Sequence, residues 1–322
     1  MLRFMLQRAL YALPLIPVVI IVMFVLLHLI PGDPVQSLVG DYPVPPAFRE
    51  AIEEKYRLNE PLTVQVGSYL ISVLQGDFGF SYQHQRPVLD LVLERAPRTI
   101  LLASVGFAVA IPLGMLVGVL SGTSRNPRTD NVLTTTALVA YAIPTFWLGQ
   151  LLIMFFALRL GWLPTQGIGP LVSRAHGFDW IMERARYLAL PALAFAIHEG
   201  MRFARIMRAS VIDTLAQGYV ITARAKGLSR NQIVRRHVLR NSSLPLVTIA
   251  GYAFGSALGG AVLLETVFTW PGLGLLLVDS IRLRDNLTVV GVVIFSAIAV
   301  IVMNLVVDIL YALLDPRIRT AR

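Results

Sequence analysis

Ionisable side chains are concentrated in one stretch of this sequence, residues 205–244, which is called the basic segment below. Against a single acid, Asp213, it carries eight cations: Arg205, Arg208, Arg224, Lys226, Arg230, Arg235, Arg236 and Arg240. Cations in this number can form charge-assisted hydrogen bonds with a protein partner or with anionic lipid. They cannot lie in hydrocarbon, where each charge costs about 2.5–3.5 kcal/mol. The segment therefore predicts an ordered loop in water, on which a partner acts.

A second group of ionisable residues, His198, Glu199 and Arg202, interrupts an apolar stretch of the sequence. An acid and a base three residues apart on a helix can neutralise each other, so a structural pair is one interpretation. Ionisable groups inside a membrane often line a transport path, so a pathway or gate is the other. For Asp308, near the end of the last apolar stretch, we expect a structural role, with Arg317 or Arg319 as its partner.

Residue types that perform catalysis or bind metals are scarce. The sequence has no cysteine, and its five histidines show no metal-ligand spacing. It has no G-x-x-x-x-G-K-[ST] phosphate-binding loop, and its only lysines are Lys55 and Lys226. No serine, histidine and carboxylate occur in a recognisable nucleophile context. We therefore expect no enzyme, no metal site and no cofactor bound by this chain, and any ATP that drives it must be hydrolysed by another chain.

Composition indicates an all-α integral membrane protein. Of the 322 residues 56% are hydrophobic and 15% charged, whereas soluble domains carry about 25% charged residues. A membrane span needs about 20 apolar residues. Six stretches qualify, the fourth most weakly: approximately 9–30, 100–120, 132–158, 188–203, 245–264 and 287–313. The first is longer than the core of a signal peptide and is expected to be a retained anchor.

The distribution of charge predicts the orientation. With the N- and C-termini in the cytoplasm, fifteen basic and three acidic residues lie on the cytoplasmic side. This asymmetry follows the positive-inside rule and accounts for the net charge of +9, so nucleic-acid binding is not indicated. The outer segment 31–97 then forms a small extracytoplasmic subdomain, with helices over 46–57 and 62–75 and a turn over 76–82. It either caps the helices or docks a partner.

Glycines predict close helix contacts and turns. Gly114, Gly118 and Gly122 are four residues apart, as are Gly251, Gly255 and Gly259. Both stripes allow helix backbones to approach, either within one subunit or between subunits. Near the third outer segment, 265–286, the run FTWPGLG at 268–274 predicts a turn, followed by a short surface or re-entrant helix.

The basic segment contains local signals for two short helices. The first is predicted over 213–226, ending at Gly227 in a left-handed conformation. Ser229 and Gln232 then form a capping-box pattern that begins the second helix, over 230–240. Leu244-Pro245 is expected to begin the fifth span, with proline in its first turn. Two short helices joined at a glycine could lie on anionic lipid. Alternatively, they could insert as a rigid lever into a motor subunit. In that case the small residues Ala223, Ala225 and Gly227 would allow close approach, and Arg224 and Lys226 would add charge contacts.

Several short motifs follow one another along the chain. They are IPGDP at 30–34, GDFG at 76–79, YVITARAKGL at 219–228, RHVLRN at 236–241, FTWPGLG at 268–274, Asn304, Asp308 and Tyr311, and DPRIR at 315–319. In this order they resemble the motifs of ABC importer permeases of the dipeptide/oligopeptide group, with a likeness to the first, B-type permease subunit. The run at 219–228 resembles the coupling-loop signature of that group. Ile221 and Thr222 replace the Glu and first Ala of the general EAA signature, and Leu244-Pro245 comes later than its general spacing, as in the peptide-importer subgroup.

The resemblance implies a fold and a set of partners. The fold is a type I ABC importer transmembrane domain over about 96–315, with its coupling loop at about 209–244. Residues 1–95 form an N-terminal transmembrane helix with the extracytoplasmic subdomain, and 316–322 form a cytoplasmic tail. The partners are a homologous second permease in a heterodimer, two ATPases that bind ATP and Mg, and an extracytoplasmic substrate-binding protein. The location is the bacterial cytoplasmic (inner) membrane.

The resemblance also implies roles for particular residues. Contacts with the ATPases are assigned to Gly218, Tyr219, Thr222, Ala223, Arg224, Ala225, Lys226, Gly227 and Leu228. Structural roles are assigned to Pro271, Gly272, Asn304 and Asp308. Di- and oligopeptides are the expected cargo, with nickel complexes, glutathione or opines as alternatives within the group. Outside the group, the alternative is a secondary carrier or channel that needs no motor.

Overall fold

A computed structural model describes residues 7–8, 10–29, 33, 35–36, 45–170, 175–258 and 261–314, with backbone only at 48, 258 and 310–314. The chain is helical almost throughout. The first elements are α1 (Leu15–His28), α2 (Pro46–Lys55), α3 (Leu62–Leu74), β1 (Phe80–Ser81), β2 (Arg86–Pro87) and α4 (Val88–Gly122). Next are α5 (Pro127–Ala142), α6 (Thr145–Leu152), the π-helix π1 (Ile153–Arg159), α7 (Phe178–Leu215), α8 (Gly218–Ala225) and α9 (Arg230–Ile233). The last are π2 (Val234–Val238), α10 (Leu239–Leu258), α11 (Val262–Val267), α12 (Leu273–Arg282) and α13 (Asn286–Leu314).

Three helices in the described part are long and apolar enough to cross a membrane: Leu10–His28, which contains α1, then α4, and α13 over Asn286–Ile309. A fourth span results if α5 and the α6–π1 helix count as one, since they meet at a bend of 100°. The bend lies at Ile143-Pro144, where Ile143 is extended (φ −70°, ψ 125°) because the proline ring disfavours a helical residue before it. The fourth predicted stretch lies in α7, and the fifth covers most of α10 and ends in α11, so the count of six stays a prediction.

The helices divide into two compact units. The first unit takes in the described residues within 1–100, 255–266 and 271–322. The second takes in those within 101–254 and 267–270. The domain boundaries expected from the sequence, at 95 and 315, stay a prediction.

In the first unit, α1 packs against α3 and α13 around a core that includes Phe24, Leu27 and Tyr69. The helices predicted over 46–57 and 62–75 are confirmed as α2 and α3. The predicted turn after α3 contains Gly76 and Gly79, whose φ angles of +89° and +94° are in the range that favours glycine. It leads into a two-stranded antiparallel ribbon, in which Phe80 pairs with Pro87. The sequence had suggested only a turn at this ribbon.

In the second unit, the Gly114–Gly118–Gly122 stripe of α4 lies directly on α7. A Cβ atom on Gly118 would stand 2.5 Å from Cβ of Met207 and 2.7 Å from the carbonyl oxygen of Ala204. The alternative of packing within the subunit is therefore the one this stripe adopts. In the first unit, a Cβ atom on Gly255 would stand 3.1 Å from Oδ1 of Asn304. Gly259, in the second stripe, lies outside the described residues.

Candidate functional site

The basic segment starts within α7 and turns out of it at Ala216-Gln217. The N–H groups of these two residues bond to the carbonyls of Ile212 and Thr214, at 3.3 and 3.2 Å. Gln217 is extended (φ −73°, ψ 145°), which a continuous α-helix does not allow, and α8 begins at the next residue, Gly218. The single helix predicted over 213–226 is therefore wrong at this point: it is two helices with a turn between them.

An elbow, residues 218–233, joins α8 to α9 around a glycine. Gly227 has φ +79°, and its N–H bonds to the carbonyl of Arg224 at 3.0 Å, while the N–H of Leu228 bonds to that of Ala223 at 3.3 Å. Ser229 then caps α9: its hydroxyl accepts from the N–H of Gln232 at 3.4 Å, and Oε1 of Gln232 accepts from the N–H of Ser229 at 2.9 Å. Both the left-handed glycine and the capping box are confirmed.

The inner side of the elbow has an apolar core of its own. The side chains of Val220, Ala223, Ile233 and Val238 are buried. Next to them, Nδ2 of Asn241 donates to the hydroxyl of Tyr219 at 2.9 Å, which ties α8 to α10. Because α8 packs against α9 and is hydrogen-bonded to α10, the elbow can transmit a push as a shaped body rather than yield as a loose loop.

The outer side of the elbow presents most of the residues that were predicted to contact a partner. Exposed are Gly218, Tyr219, Thr222, Arg224, Ala225, Lys226 and Gly227. Leu228 is half-buried and Ala223 is buried. The structure therefore differs from the expectation for Ala223, whose methyl group faces the core of the elbow. Close approach of a partner can use Ala225 and Gly227, beside the cations Arg224 and Lys226.

The helix after the elbow runs farther than expected. The second short helix and the fifth span were predicted as separate elements, with Pro245 in the first turn of the span. In the structure, α9, π2 and α10 follow one another without a break from Arg230 to Leu258, and Pro245 lies inside α10. The prediction was wrong because the capping box at Ser229 already begins the helix upstream. The wider π-turn at Val234–Val238 accommodates an extra residue before the proline is reached.

Four ionisable residues in the middle of α7, His198, Glu199, Arg202 and Arg205, lie near the helix bend. Nη2 of Arg202 lies 2.9 Å from Oε2 of Glu199, which confirms the pairing of acid and base at three-residue spacing. The His198 ring lies 5.1 Å from that of Tyr141, and the guanidinium of Arg205 lies 5.6 Å from the same tyrosine ring. Tyr141 is two residues before the helix bend at Ile143. Polar side chains thus collect beside a helix break, an arrangement that membrane proteins tolerate in protein or beside water-filled cavities.

Glu265 is a central polar residue that the sequence did not reveal. Its buried carboxylate accepts from the Thr99 hydroxyl at 2.7 Å and from the N–H groups of Gly274 and Leu275 at 2.7 and 3.1 Å. Gly272 approaches the same carboxylate. The carbonyl of Pro271 accepts from Nη1 of Arg98 at 3.4 Å. Pro271 and Gly272, predicted to be structural, therefore belong to a turn that closes over a buried charge. Glu265 follows the fifth apolar stretch directly, and nothing in its local spacing indicated such partners.

The last helix holds the other two residues predicted to be structural. Asn304 faces Gly255, and Asp308 pairs with Arg8, whose Nη1 lies 2.9 Å from Oδ2 of Asp308. Arg8 is therefore a partner that the sequence did not suggest. Arg317 and Arg319, the expected partners, lie outside the described residues.

A second missed pair lies in the second unit. Arg208 of α7 binds Asp130 of α5 through two nitrogen atoms, Nε and Nη2.

Among the described residues, no three His, Cys, Asp or Glu side chains are grouped as a metal site would require. The arrangement offers an exposed basic elbow and closely packed helices, which suit the transmission of force.

Comparison with known families gives two matches that together cover almost the whole chain. Residues 110–320 match the family described as "Binding-protein-dependent transport system inner membrane component". Residues 1–103 match the family described as "Binding-prot-dependent transport system membrane comp, N-term".

Similar proteins include two permeases of nearly the same length. The oligopeptide transport system permease protein AppB of Bacillus subtilis (strain 168) is 40% identical over 319 residues, 99% of each chain. The glutathione transport system permease protein GsiC of Escherichia coli (strain K12) is 37% identical over 322 residues, again 99% of each chain.

Among solved structures, the fold is similar to that of a chain from inward-facing MetNI, a methionine ABC transporter. The TM-score is 0.58 at 18% identity, over 70% of this chain and 96% of the other. A second crystal form of the same transporter gives a TM-score of 0.55 at 17% identity, with the same coverage. These similarities concern the fold, which is that of a type I ABC importer transmembrane domain.

Proposed function

Since the chain belongs to the family of binding-protein-dependent transport system inner membrane components, as an ABC importer permease of the dipeptide/oligopeptide group, we propose that it carries peptides and is driven through its elbow. It is a transporter subunit and not an enzyme. In our proposal it forms half of a translocation pore, and a homologous second permease forms the other half. Two cytoplasmic ATPases hold the ATP and Mg, and an extracytoplasmic binding protein delivers the cargo.

The elbow is the observation that carries this proposal. It exposes Tyr219, Thr222, Arg224, Ala225, Lys226 and Gly227 on one side and is held by its own core on the other. In the proposed mechanism, closure of the ATPases on ATP displaces α8, and the displacement passes into α7 and α10, the helices that flank the elbow. The pore then switches between outward and inward access. For this to happen the elbow must lie in the cytoplasm, with both termini on the same side of the bacterial cytoplasmic membrane.

The polar group at the α5–α6 bend is the best candidate for contact with cargo. His198 lies beside Tyr141, and Glu199 pairs with Arg202 next to it along α7, where an acid and a base could meet the opposite charges of a peptide. We assign these three residues to the pathway or its gate. The peptide assignment itself is supported by the name of the oligopeptide permease that is 40% identical; glutathione, nickel complexes and opines are the alternatives in the group.

Purification of the tagged chain from its native membrane in mild detergent tests the assembly. We expect a second permease and ATPase chains in its mass spectrum, together with ATP hydrolysis. Proteoliposomes with the binding protein, offered labelled di-, tri- and longer peptides, glutathione or a nickel complex, then identify the cargo. ATP-dependent uptake of peptide is the expected result. Uptake of only a non-peptide would refute the cargo, and transport by the chain alone, without ATP, would indicate a secondary carrier or channel.

A further inference from the structure

Outside the elbow, the most complete polar cluster of the second unit joins three helices, and its members are Arg208, Asp130, Ser121 and Thr134. Arg208 of α7 donates from Nε to Oδ1 of Asp130 at 2.8 Å and from Nη2 to Oδ2 at 2.7 Å. Its Nε also lies 3.1 Å from the hydroxyl of Ser121, at the end of α4. These four residues are called the clamp.

Asp130 is fully engaged within the clamp. Its Oδ1 also accepts from the hydroxyls of Ser121 and Thr134, the latter at 3.2 Å, and these two hydroxyls lie 3.1 Å apart. A guanidinium that meets both oxygens of a carboxylate fixes the relative orientation of the two groups as well as their distance. The clamp therefore opposes rotation of α7 against α5, which a single point contact would permit.

The glycine stripe fixes α7 to α4 by shape, next to the clamp. Cβ atoms on Gly114 and Gly118 would stand 2.7 Å from the carbonyls of Gly200 and Ala204, so the two backbones are in direct contact. A Cβ atom on Gly122, one residue beyond Ser121 of the clamp, would stand 2.8 Å from the side chain of Val211 and 3.1 Å from the carbonyl of Arg208. At this level α4 and α7 are held together by close packing, and the clamp joins α5 to both.

The clamp lies close to the elbow along the chain. Arg208 is seven residues before Leu215, the end of α7, which corresponds to about 10 Å of helix. The turn at Ala216-Gln217 then leads directly into α8. Any displacement of α8 therefore reaches the clamp through less than two turns of α7 beyond Arg208, before it reaches the other two helices.

We propose that the Arg208–Asp130 pair is the joint that makes α4, α5 and α7 move as one body when the elbow is displaced. This inference rests on the proposed function, because it requires ATPases that push on the elbow. In this proposal Arg208 and Asp130 are positioning residues, which act through the helices they join.

The pair is partly exposed: the side chains of Arg208 and Asp130 are 32% and 24% exposed. Water weakens many exposed ion pairs, but bidentate arginine–carboxylate geometry is the case in which such a pair can also stabilise. The same geometry restricts the relative motion of α5 and α7. Loss of the pair should therefore lower transport per ATP hydrolysed in the protein that remains folded and assembled.

Reconstituted complexes with Asp130→Asn, Arg208→Gln, both together, or Arg208→Lys test the joint, with peptide uptake per ATP hydrolysed as the readout. We expect each single variant to lower this ratio roughly tenfold, as for a coupling between two sites, while ATP hydrolysis continues. Arg208→Lys keeps the charge but loses the bidentate geometry, and it should resemble Arg208→Gln. The double variant should be no worse than either single one, because both remove the same interaction.

Arg86→Gln is the control for loss of an arginine–carboxylate pair elsewhere, because Arg86 pairs with Glu94 through a single contact at 2.8 Å in the first unit. It should leave the ratio unchanged. The proposal is wrong if the clamp variants leave uptake per ATP unchanged. It is also wrong if uptake and ATP hydrolysis fall together, in proportion to the amount of assembled complex.

A distance measurement tests whether α5 and α7 move together, even if those variants fail to assemble. The chain has no cysteine, so Thr135→Cys and Ile212→Cys, both exposed, place two spin labels on α5 and α7 in the complex with its clamp intact. We expect the same distance distribution without nucleotide and with trapped ATP. A shift of that distribution on ATP binding overturns the proposal.

The two proposals fail in distinguishable ways. If the unaltered complex shows no ATP-dependent uptake, the proposed function is wrong. If the unaltered complex transports, Gly227→Pro stops it, and the clamp variants stay coupled, only the joint is wrong.

Discussion

The carboxylate of Glu265 lies so close to Gly272 that a Cβ atom on Gly272 would stand 2.5 Å from Oε2. The same carboxylate is fully buried and receives hydrogen bonds from the Thr99 hydroxyl and two backbone N–H groups at the start of α12. Buried charge is tolerated where its oxygens are satisfied in this way. The missing side chain of Gly272 is therefore what lets the turn close over the charge.

Gly272→Ala should destabilise the first unit, because the new methyl group must displace a hydrogen-bonded carboxylate. We expect a loss of about 1–3 kcal/mol, as for other overpacked sites. Gly67→Ala is the control: Gly67 lies inside α3 with nothing within 4 Å of its Cβ position, and alanine there should stabilise by about 0.5–1 kcal/mol. Thermal unfolding of the purified variants measures both. Equal melting temperatures for Gly272→Ala and the unaltered protein would contradict the close approach.

Glu265 should make stability depend on pH. Burial raises the pKa of Glu265, which lies in α11, outside the long apolar helices, and the hydrogen bonds from Thr99 and the backbone oppose that rise only in part. A carboxyl with a higher pKa in the folded state binds more protons when folded, so its contribution favours folding at low pH. This contribution is complete below the ordinary pKa of about 4.3 and is lost as the pH rises through the raised value.

Glu265→Gln removes this titration and serves as the reference. We expect the difference in melting temperature, unaltered protein minus Glu265→Gln, to decrease as the pH rises from about 5 to about 7.5. A difference that grows with pH would mean that the hydrogen bonds outweigh burial and that the pKa is lowered.

The features that could be predicted from the sequence are those whose partners are near in the chain. The end of α8 at Gly227 and the capping box of Ser229 and Gln232 each depend on residues within one turn, so their spacing alone identified them. The Glu199–Arg202 pair belongs to the same class. The family resemblance, which combines short motifs over the whole chain, also gave the fold and the transporter class.

The features that were missed depend on long-range contacts. Glu265 meets a threonine 166 residues earlier, and Asp130 meets an arginine 78 residues later. No periodicity connects such positions. Pro245 was misplaced for a different reason: a proline early in an apolar stretch is typical of a helix start, but the helix had already been nucleated at Ser229.

Gly118→Val should force α4 and α7 apart. Its Cβ atom would meet Cβ of Met207 at 2.5 Å and the carbonyl of Ala204 at 2.7 Å, and backbone at that distance cannot yield without moving the helix. We expect a loss of about 1–3 kcal/mol and a smaller yield of monodisperse complex. Leu116→Val, at an exposed position of the same helix, should change neither quantity. A Gly118→Val protein with normal yield and melting temperature would refute the direct backbone contact.

Substitutions at Gly227 change the backbone conformation of the elbow and leave its charged side chains in place. At φ +79° an L-residue with a branched or cyclic side chain is strained, and nothing lies within 4 Å of the Cβ position, so backbone conformation alone decides the outcome. Gly227→Pro cannot adopt this φ and also loses the hydrogen bond from the Gly227 N–H to Arg224, whereas asparagine tolerates the left-handed region. We therefore expect Gly227→Pro to abolish uptake while insertion into the membrane is retained, and Gly227→Asn to keep most of the uptake. Uptake assays on matched amounts of membrane-inserted protein measure both.

Full uptake by Gly227→Pro would show that the shape of the elbow is not needed for coupling. Loss of uptake in both variants would mean that a partner must approach the backbone at Gly227 more closely than any side chain allows.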